Sequence, residues 1–282
     1  MIQAQEQTTV NDIIHNRHAF DSFDAFIEDV KQVPAKNSSR DLGREHFFGT
    51  KNFDDAVALA STGWQEGAEQ VGKIRGELDW LVEAAKVAAT QQFSWDVAGD
   101  FVDVGRVLSG EPESCGSYAN DDVARSGSQR VVRLYCNLGV SGSVKHEAIF
   151  ARGACVLAAV DVLETLGVRV ELWAAKATEK RANGAPIHQV EVLVKPADQA
   201  VDVDRLAFIL CHPSCLRRLF WSHQERYGYQ PNHCFPHAIA VDEGCVATSE
   251  CRREASHTNT ELAAEVAKIC SECGVTIPDF VS

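Results

Sequence analysis

The sequence predicts an α/β protein whose C-terminal half is a mainly parallel sheet flanked by helices, preceded by a helical N-terminal region with one small hairpin. Three observations predict this class. After residue 130, short apolar segments alternate with longer segments of helical periodicity. Before residue 93, apolar residues recur mainly at helical spacing. Between the two regions, serine, glycine and asparagine concentrate over 109–129. We therefore expect an N-terminal region over 1–115, a linker over 116–129 and an α/β domain over 130–282.

The N-terminal elements follow from caps and periodicity. Ser22 can cap a helix that runs to Val30, and Asn52 can cap a second helix that Gly63 ends. A longer periodic run predicts a third helix over 71–89. Between residues 93 and 108 the pattern changes to period two around a turn at 98–100, which predicts a hairpin.

The C-terminal elements are expected in the order strand, helix, two strands, helix, strand, helix, strand. The second helix contains Pro213 and should be interrupted there. The strands at 168–174 and 187–194 are too close in sequence for a crossover helix, so we expect them not to be parallel. The predicted ranges are 131–138, 147–166, 168–174, 187–194, 204–224, 237–241, 261–273 and 274–277.

Composition and charge exclude several classes of protein. With 282 residues, 45% of them hydrophobic and 24% charged, the chain fits a folded protein rather than a disordered one. The net charge of −13 makes nucleic acid an unlikely partner, because duplex binding depends on Lys and Arg neutralising phosphates. No apolar run reaches the length of a membrane span, and the N-terminus does not resemble a signal peptide. We therefore expect an intracellular protein with reduced cysteines and no membrane partner.

The turn after the first strand of the α/β region reads Gly139-Val-Ser-Gly-Ser143, and a later turn contains Asp242 and Gly244. Over residues 130–282 this order of elements and turns resembles the von Willebrand factor A fold. The resemblance implies that a protein partner binds at the carboxyl edge of the sheet. Here that edge would be bordered by Asn137, Ser141, Ser143, Asp242 and Glu243.

The same resemblance implies a magnesium-type site, for which Ser141, Ser143 and Asp242 are the candidate ligands. The position of the family's first aspartate is occupied by Gly139. Magnesium usually needs direct carboxylate ligands, and hydroxyls are weak neutral donors. We therefore expect the serines to cap the following helix, and we expect no cofactor at this turn.

Two N-terminal segments, 48–64 and 96–112, are similar to a family of uncharacterised proteins from tailed phages and related mobile elements. This likeness covers nearly the whole chain and implies a phage or prophage setting in the host cytoplasm, with virion association left open. Together the two resemblances predict a non-enzymatic protein-interaction module. They imply no catalytic residue.

The alternative is a zinc enzyme that uses the Cys/His-rich segment 211–251. Thiolate and imidazole are the usual zinc ligands, and the segment offers Cys211, Cys215, His233 and His237, together with His223, Cys245 and Cys251. Its spacing lacks paired Cys-x-x-Cys motifs, so the interaction module is favoured. In the same segment, Arg217 and Arg218 lie among apolar residues, and we expect an amphipathic helix with its arginines in solvent or docked on an acidic partner.

Overall fold

The computed structural model describes residues 4–10, 13–32, 43–91, 93–99, 101–118, 130–180, 186–229, 234–249 and 258–277. The strands in these residues are β1 (Ala4–Val10), β2 (Ile13–Phe20), β3 (Phe93–Asp96), β4 (Phe101–Val102), β5 (Cys115–Tyr118), β6 (Val131–Asn137), β7 (Arg169–Lys180), β8 (Ile187–Lys195), β9 (Cys234–His237) and β10 (Val246–Ala247). The helices are α1 (Phe23–Lys31), α2 (Glu45–Phe48), α3 (Phe53–Thr62), α4 (Gln65–Glu77), α5 (Asp79–Gln91), α6 (Val104–Leu108), α7 (His146–Thr165), α8 (Val203–Cys211), a π-helix (Cys215–Phe220), α9 (Trp221–Arg226) and α10 (Asn259–Glu272). None of these helices has the length and apolar character that a membrane span requires.

Seven strands form one large sheet with the order β1-β2-β8-β7-β6-β10, and β9 pairs with the end of β7. The pairs β2–β8, β6–β7 and β6–β10 are parallel. The pairs β1–β2, β7–β8 and β7–β9 are antiparallel. The predicted α/β class, with parallel strands in a sheet flanked by helices, is confirmed. The prediction that the strands now labelled β7 and β8 are not parallel is also confirmed.

Residues 4–10 and 13–20 form strands of this sheet, whereas the sequence predicted a helical region there. Local apolar alternation does not reveal β2, because His15, Arg17 and His18 are polar and nevertheless buried. The strand is held by its parallel pairing with β8, more than 160 positions further along the chain. Most of the predicted linker lies outside the described residues, and the segments before and after it share one sheet.

The capped N-terminal helices are confirmed. The Ser22 hydroxyl accepts a hydrogen bond from the Ala25 backbone N–H, and Asn52 caps α3 in the same way through Asp55. Gly63 ends α3 with a φ of 78°, in the left-handed region that favours glycine. The single helix expected over 71–89 is instead two helices, α4 and α5, which meet at Leu78.

Three further predictions are corrected. The hairpin expected over 93–108 is absent from the described residues, because β3 and β4 each pair with β5 and 104–108 form a short helix. The strand expected at 237–241 lies at 234–237. Residues 274–277 have no strand partner in the described part of the chain, and Ile277 packs on the core as irregular backbone.

Helix α7 lies at the centre of the helical layer. It packs against β7 and also against α4, α8 and α10. For this reason it is buried almost all round and carries no single apolar stripe. Gly153 permits the contact with α8, since a Cβ atom there would lie 2.5 Å from both Cys211 Sγ and the Leu210 carbonyl oxygen.

The arginines of the π-helix are buried, which contradicts the expectation that they face solvent or a partner. The helix is interrupted next to Pro213 as predicted: α8 ends at Cys211, and the π-helix begins at Cys215. Arg217 donates to the carbonyl oxygens of Phe47 and Val144 at 2.7 and 2.6 Å. Arg218 donates to the Thr50 carbonyl oxygen at 2.8 Å. Both guanidinium groups therefore hold the segments around Phe47, Thr50 and Val144 to the core and do not form a docking face.

The face of the sheet opposite to the helical layer carries a buried polar network. Arg17 makes a two-point ion pair with Glu191, at 2.5 Å from Nε to Oε1 and 2.9 Å from Nη2 to Oε2. Gln189 bonds both the N–H and the carbonyl oxygen of Ala240. These contacts fix the 238–242 segment against β2 and β8.

Candidate metal centre

Three buried histidines from distant parts of the chain meet where α1 and α9 pack on the sheet. His18 lies on β2, His188 on β8 and His223 on α9, and all three are at most 1% exposed. One ring nitrogen of each lies within 4.8 Å of one from each of the other two. Within the described residues, this is the one such group of three His, Cys, Asp or Glu side chains.

Strand register places two of these rings together. In the parallel β2–β8 pair, His18 lies opposite Val190 and His188 lies opposite Asn16. Residues two positions apart on a strand point to the same side, so both imidazoles project from one face of the sheet. Their ring centroids are 4.6 Å apart. The ring of His223 approaches from α9, with its centroid 5.6 Å from His18 and 5.5 Å from His188.

Burial keeps the three imidazoles neutral. It lowers the pKa of His18 to about 4 and the pKa of His188 to about 2, and the neighbouring His223 adds to both effects. Burial also lowers the pKa of His223, and this outweighs the opposing influence of Asp29. Neutral imidazole is the form that ligates metal ions, because one ring nitrogen then offers a lone pair.

Three buried ring nitrogens of the cluster make no hydrogen bond to any described residue: Nδ1 of His18, Nε2 of His188 and Nε2 of His223. An unsatisfied buried polar atom costs about 1–3 kcal/mol. Most buried polar atoms in folded proteins have a partner, so three unpartnered nitrogens in one cluster call for an explanation.

Asp29 orients the third histidine. Its Oδ2 lies 3.0 Å from Nδ1 of His223, and its Oδ1 accepts from Arg226 Nη1 at 3.0 Å. Burial acts to raise the pKa of Asp29, but the hydrogen bond with His223 and the charge of Arg226 outweigh it, so the pKa is lowered. The ionised carboxylate therefore holds the ring proton on Nδ1 and leaves the lone pair on Nε2. Metal-ligating histidines commonly have such a carboxylate partner.

Aromatic side chains surround the three imidazoles. The half-buried ring of Tyr227 lies 4.4 Å from His18, 4.9 Å from His188 and 5.1 Å from His223, measured between centroids. Tyr229 stacks on His188 at 5.0 Å and donates its hydroxyl to the Pro186 carbonyl oxygen. The ring of Phe20 lies 5.5 Å from His223. Aromatic rings therefore lie on several sides of the cluster, and the charges of Lys176 and Lys180 also act on His188 and lower its pKa.

The cluster is slightly wider than a bound zinc ion requires. Zinc–nitrogen bonds of about 2.0–2.1 Å in tetrahedral geometry place two ligating nitrogens about 3.4 Å apart. Separations of up to 4.8 Å mean that the rings would approach one another by up to about 1.4 Å. Binding of a zinc ion would therefore draw the three rings closer together than they lie in this structure.

The candidate ligands of the serine turn have different hydrogen-bond partners in the structure. The Ser141 and Ser143 hydroxyls lie 3.1 Å apart, so this pair is close together. Asp242 instead accepts from Arg17 Nη1 at 2.6 Å, and Glu243 is exposed. Asn137 is buried and accepts from the Gly139 N–H through its side-chain oxygen. A metal or partner at this edge stays a prediction.

Of the described residues in the Cys/His-rich segment, only His223 belongs to a group of three possible ligands. Cys211 and Cys215 are both fully buried, and burial raises the pKa of each thiol far from the thiolate form that zinc requires. His237 faces the ring of His15 at 5.8 Å. His233 and Cys251 lie outside the described residues.

Sequence reasoning included His223 in the Cys/His-rich segment and missed His18 and His188. The three positions have no short motif spacing, because strand pairing brings them together over long stretches of chain. A usable signal is that each isolated histidine stands beside apolar or aromatic residues, as in His18-Ala-Phe20 and Ile187-His188.

Comparison with known proteins gives one match. A protein-family model described as a domain of unknown function, DUF7192, matches residues 6–275, which include all three histidines and Asp29. No curated protein and no solved structure matches the chain.

Proposed function

The chain belongs to the DUF7192 family, whose description states no activity, and we propose from the geometry of its histidine cluster that it is a metal-binding protein. The ion is held by His18, His188 and His223, with Asp29 fixing the third ring. The observation that carries this proposal is the set of three buried imidazole nitrogens that have no hydrogen-bond partner among the described residues. A bound ion would satisfy all three at once.

The donor set selects the class of ion. Three neutral imidazoles suit zinc and the later first-row divalent ions, whereas magnesium and calcium prefer oxygen ligands. Zinc sites with three protein ligands keep a fourth position for water or another group. The ion proposed here is therefore zinc or a similar divalent transition metal.

The ion would have a structural role. It would connect β2 with its neighbouring strand β8 and with α9, which are covalently linked to β2 only through long intervening segments. Because all three ligands are at most 1% exposed and aromatic rings lie on several sides of them, the site favours a permanent ion over a substrate-exchanging one. Binding to the folded state alone would stabilise the fold by mass action.

Metal titration of the full chain tests this proposal. The chelator-treated protein is titrated with cobalt(II), followed by visible absorption, and with zinc(II) in competition with a chromophoric chelator. We expect one ion per chain, a cobalt spectrum of nitrogen ligation and a higher unfolding temperature. His188→Gln and His18→Gln should each weaken binding by at least about tenfold to a hundredfold. His46→Gln is the matched control, because His46 is exposed on α2.

Three results would overturn the proposal. The first is that the unaltered chain shows no saturable metal binding. The second is that the metal affinity is unchanged in both His18→Gln and His188→Gln. The third is a thiolate-to-cobalt charge-transfer band that disappears in Cys211→Ser/Cys215→Ser. The last result would move the metal to the Cys/His-rich segment and support the zinc-enzyme alternative.

The interaction module remains a second candidate. It is supported by the helix-flanked α/β sheet and by the partly exposed Ser141, exposed Ser143 and exposed Glu243 after the strands β6 and β9. The von Willebrand A-like identity and the phage setting belong to this candidate and stay predictions. A pull-down from infected or lysogen-bearing cells, compared with a Ser141→Arg/Ser143→Arg variant, tests it. Equal recovery of every partner by both proteins would contradict binding at this edge.

A further inference from the structure

A cleft with a volume of about 690 Å³ opens on the helical side of the molecule. It lies between α4, α7, the start of α10 and the 211–213 junction that follows α8. An adjoining depression of about 530 Å³ shares Gly49, Trp64 and His212 with it. The cleft has the size of a small-molecule site, for which volumes of about 300–1,000 Å³ are usual. None of its lining residues belongs to the histidine cluster.

The inner surface of the cleft is apolar and aromatic. Ala151 and Leu262 are buried there, and Ile74, Phe150 and Trp64 are half-buried. The ring of Trp64 packs edge-to-face against Phe150 at 6.1 Å and against His212 at 4.6 Å. This surface can hold the hydrocarbon part of a ligand.

A glycine holds the tryptophan in place. A Cβ atom on Gly67 would lie 2.1 Å from the Trp64 ring, so the absence of a side chain there lets the indole lie flat against α4. The indole is thereby fixed between Gly67, Phe150 and His212. An aromatic platform fixed in this way loses little conformational freedom when a ligand binds.

The charge around the cleft is negative. Glu77 and Glu147 line it and are exposed, and Glu66 lines the adjoining depression. Among the described residues that line the two depressions, none is a lysine or an arginine. Burial lowers the pKa of His212 to about 4, so this ring is neutral at physiological pH.

Shape and charge together define the ligand. A rim with carboxylates and no opposing cation favours a positively charged group. An aromatic floor favours a planar apolar body, and a tryptophan face also attracts cations. We propose that this cleft binds a small aromatic amine, with the ring of the ligand on Trp64 and Phe150 and its ammonium group at the glutamates of the rim.

Isothermal titration of the full chain with three isosteric probes tests this proposal. 2-Phenylethylamine carries the ammonium group, 2-phenylethanol is neutral, and 3-phenylpropionate is an anion with the same ring and a similar chain. We expect saturable binding of the amine at least about tenfold tighter than that of the anion. Glu77→Gln/Glu147→Gln should weaken amine binding about fivefold to tenfold and leave the alcohol unchanged.

The matched control is Glu69→Gln, which removes the same charge from α4 at an exposed position outside the cleft. Its affinity for the amine should equal that of the unaltered chain. Absence of saturable amine binding, equal affinity for amine and anion, or an unchanged affinity in the double variant would overturn the proposal. Trp64→Leu should weaken all the probes that bind, because the floor is common to them. These outcomes are independent of metal binding, and repeating the titration with His188→Gln keeps the two proposals distinguishable.

Discussion

The carboxylate of Asp29 lies 3.0 Å from Nδ1 of His223, although 194 positions separate the two residues in the chain. Asp29 sits on α1, beside the strand that carries His18, and His223 sits on α9. One hydrogen bond thus connects the N-terminal helix to the histidine cluster. It also engages Nδ1 of His223 and leaves Nε2 without a hydrogen-bond partner among the described residues.

Replacing Asp29 with asparagine should weaken metal binding while the fold is retained. Asparagine keeps the size of the side chain but removes the charge that holds the proton on Nδ1 of His223. We expect the zinc affinity to fall about 10- to 100-fold, as measured by chelator competition. Glu28→Gln, an exposed change on the same helix, should leave the affinity unaltered. An unchanged affinity in Asp29→Asn would show that the carboxylate does not orient a ligand.

The buried ion pair between Arg17 and Glu191 should be costly to break. Their side chains are 8% and 3% exposed, so Glu191→Gln leaves a buried guanidinium group without its main counter-charge. We expect the free energy of unfolding, measured in urea, to fall by about 3–5 kcal/mol. Asp242→Asn removes the second partner of Arg17, which is 58% exposed, and should cost less than about 1 kcal/mol. An equal loss of stability in Glu191→Gln and Asp242→Asn would contradict the expectation that the buried ion pair contributes more.

Two glycine substitutions should have opposite effects. Gly153→Ala places a Cβ atom against Cys211 Sγ and the Leu210 carbonyl oxygen, and forcing α7 from α8 should destabilise the fold by about 1–3 kcal/mol. Gly72→Ala adds a methyl group on α4 at a point where, apart from the adjacent helix backbone, no atom of the described residues lies within 4 Å. It should stabilise the fold by about 0.5–1 kcal/mol through helix propensity and reduced freedom of the unfolded chain. Thermal unfolding of both variants measures the contrast, and similar melting temperatures would refute the close packing of α7 on α8.

Acid should destabilise the fold partly through His212. Burial lowers its pKa from the ordinary value of 6.5 to about 4 in the folded state, so the unfolded state takes up a proton first as the pH falls. The contribution of His212 to folding stability is therefore constant above pH 6.5 and declines towards pH 4, by at most about 1.4 kcal/mol per pH unit. Urea unfolding at several pH values should show a shallower decline in His212→Gln than in the unaltered chain. If the stability of both proteins declines equally as the pH falls, His212 is not a source of the acid destabilisation.

Magnesium should leave the unfolding temperature unchanged at millimolar concentration. The carboxylate of Asp242 is already paired with Arg17, Gly139 contributes no carboxylate, and the two serine hydroxyls are neutral donors. Differential scanning fluorimetry with and without magnesium measures the shift. A magnesium-dependent rise that disappears in Ser141→Ala/Ser143→Ala would instead establish the serine turn as a metal site.

Much of the fold was predictable because it depends on near neighbours in the sequence. The caps at Ser22 and Asn52, the helix end at Gly63 and the break at Pro213 each involve contacts within a few residues. Apolar surroundings predicted burial for five cysteines. Cys136, Cys155, Cys211 and Cys270 are buried, whereas Cys245 is only half-buried.

The sequence by itself therefore determined the α/β class, the approximate limits of α1, α3, α7 and α10, and the non-parallel strand pair β7–β8. Only the tertiary structure decided that residues 13–20 join the large sheet, that Arg217 and Arg218 are buried, and that His18, His188 and His223 meet. The physical reason is that periodicity and capping reflect local geometry, whereas strand pairing across distant segments places polar side chains in the interior without a local signal. The candidate metal centre depends on that long-range pairing, so the sequence pattern does not predict it.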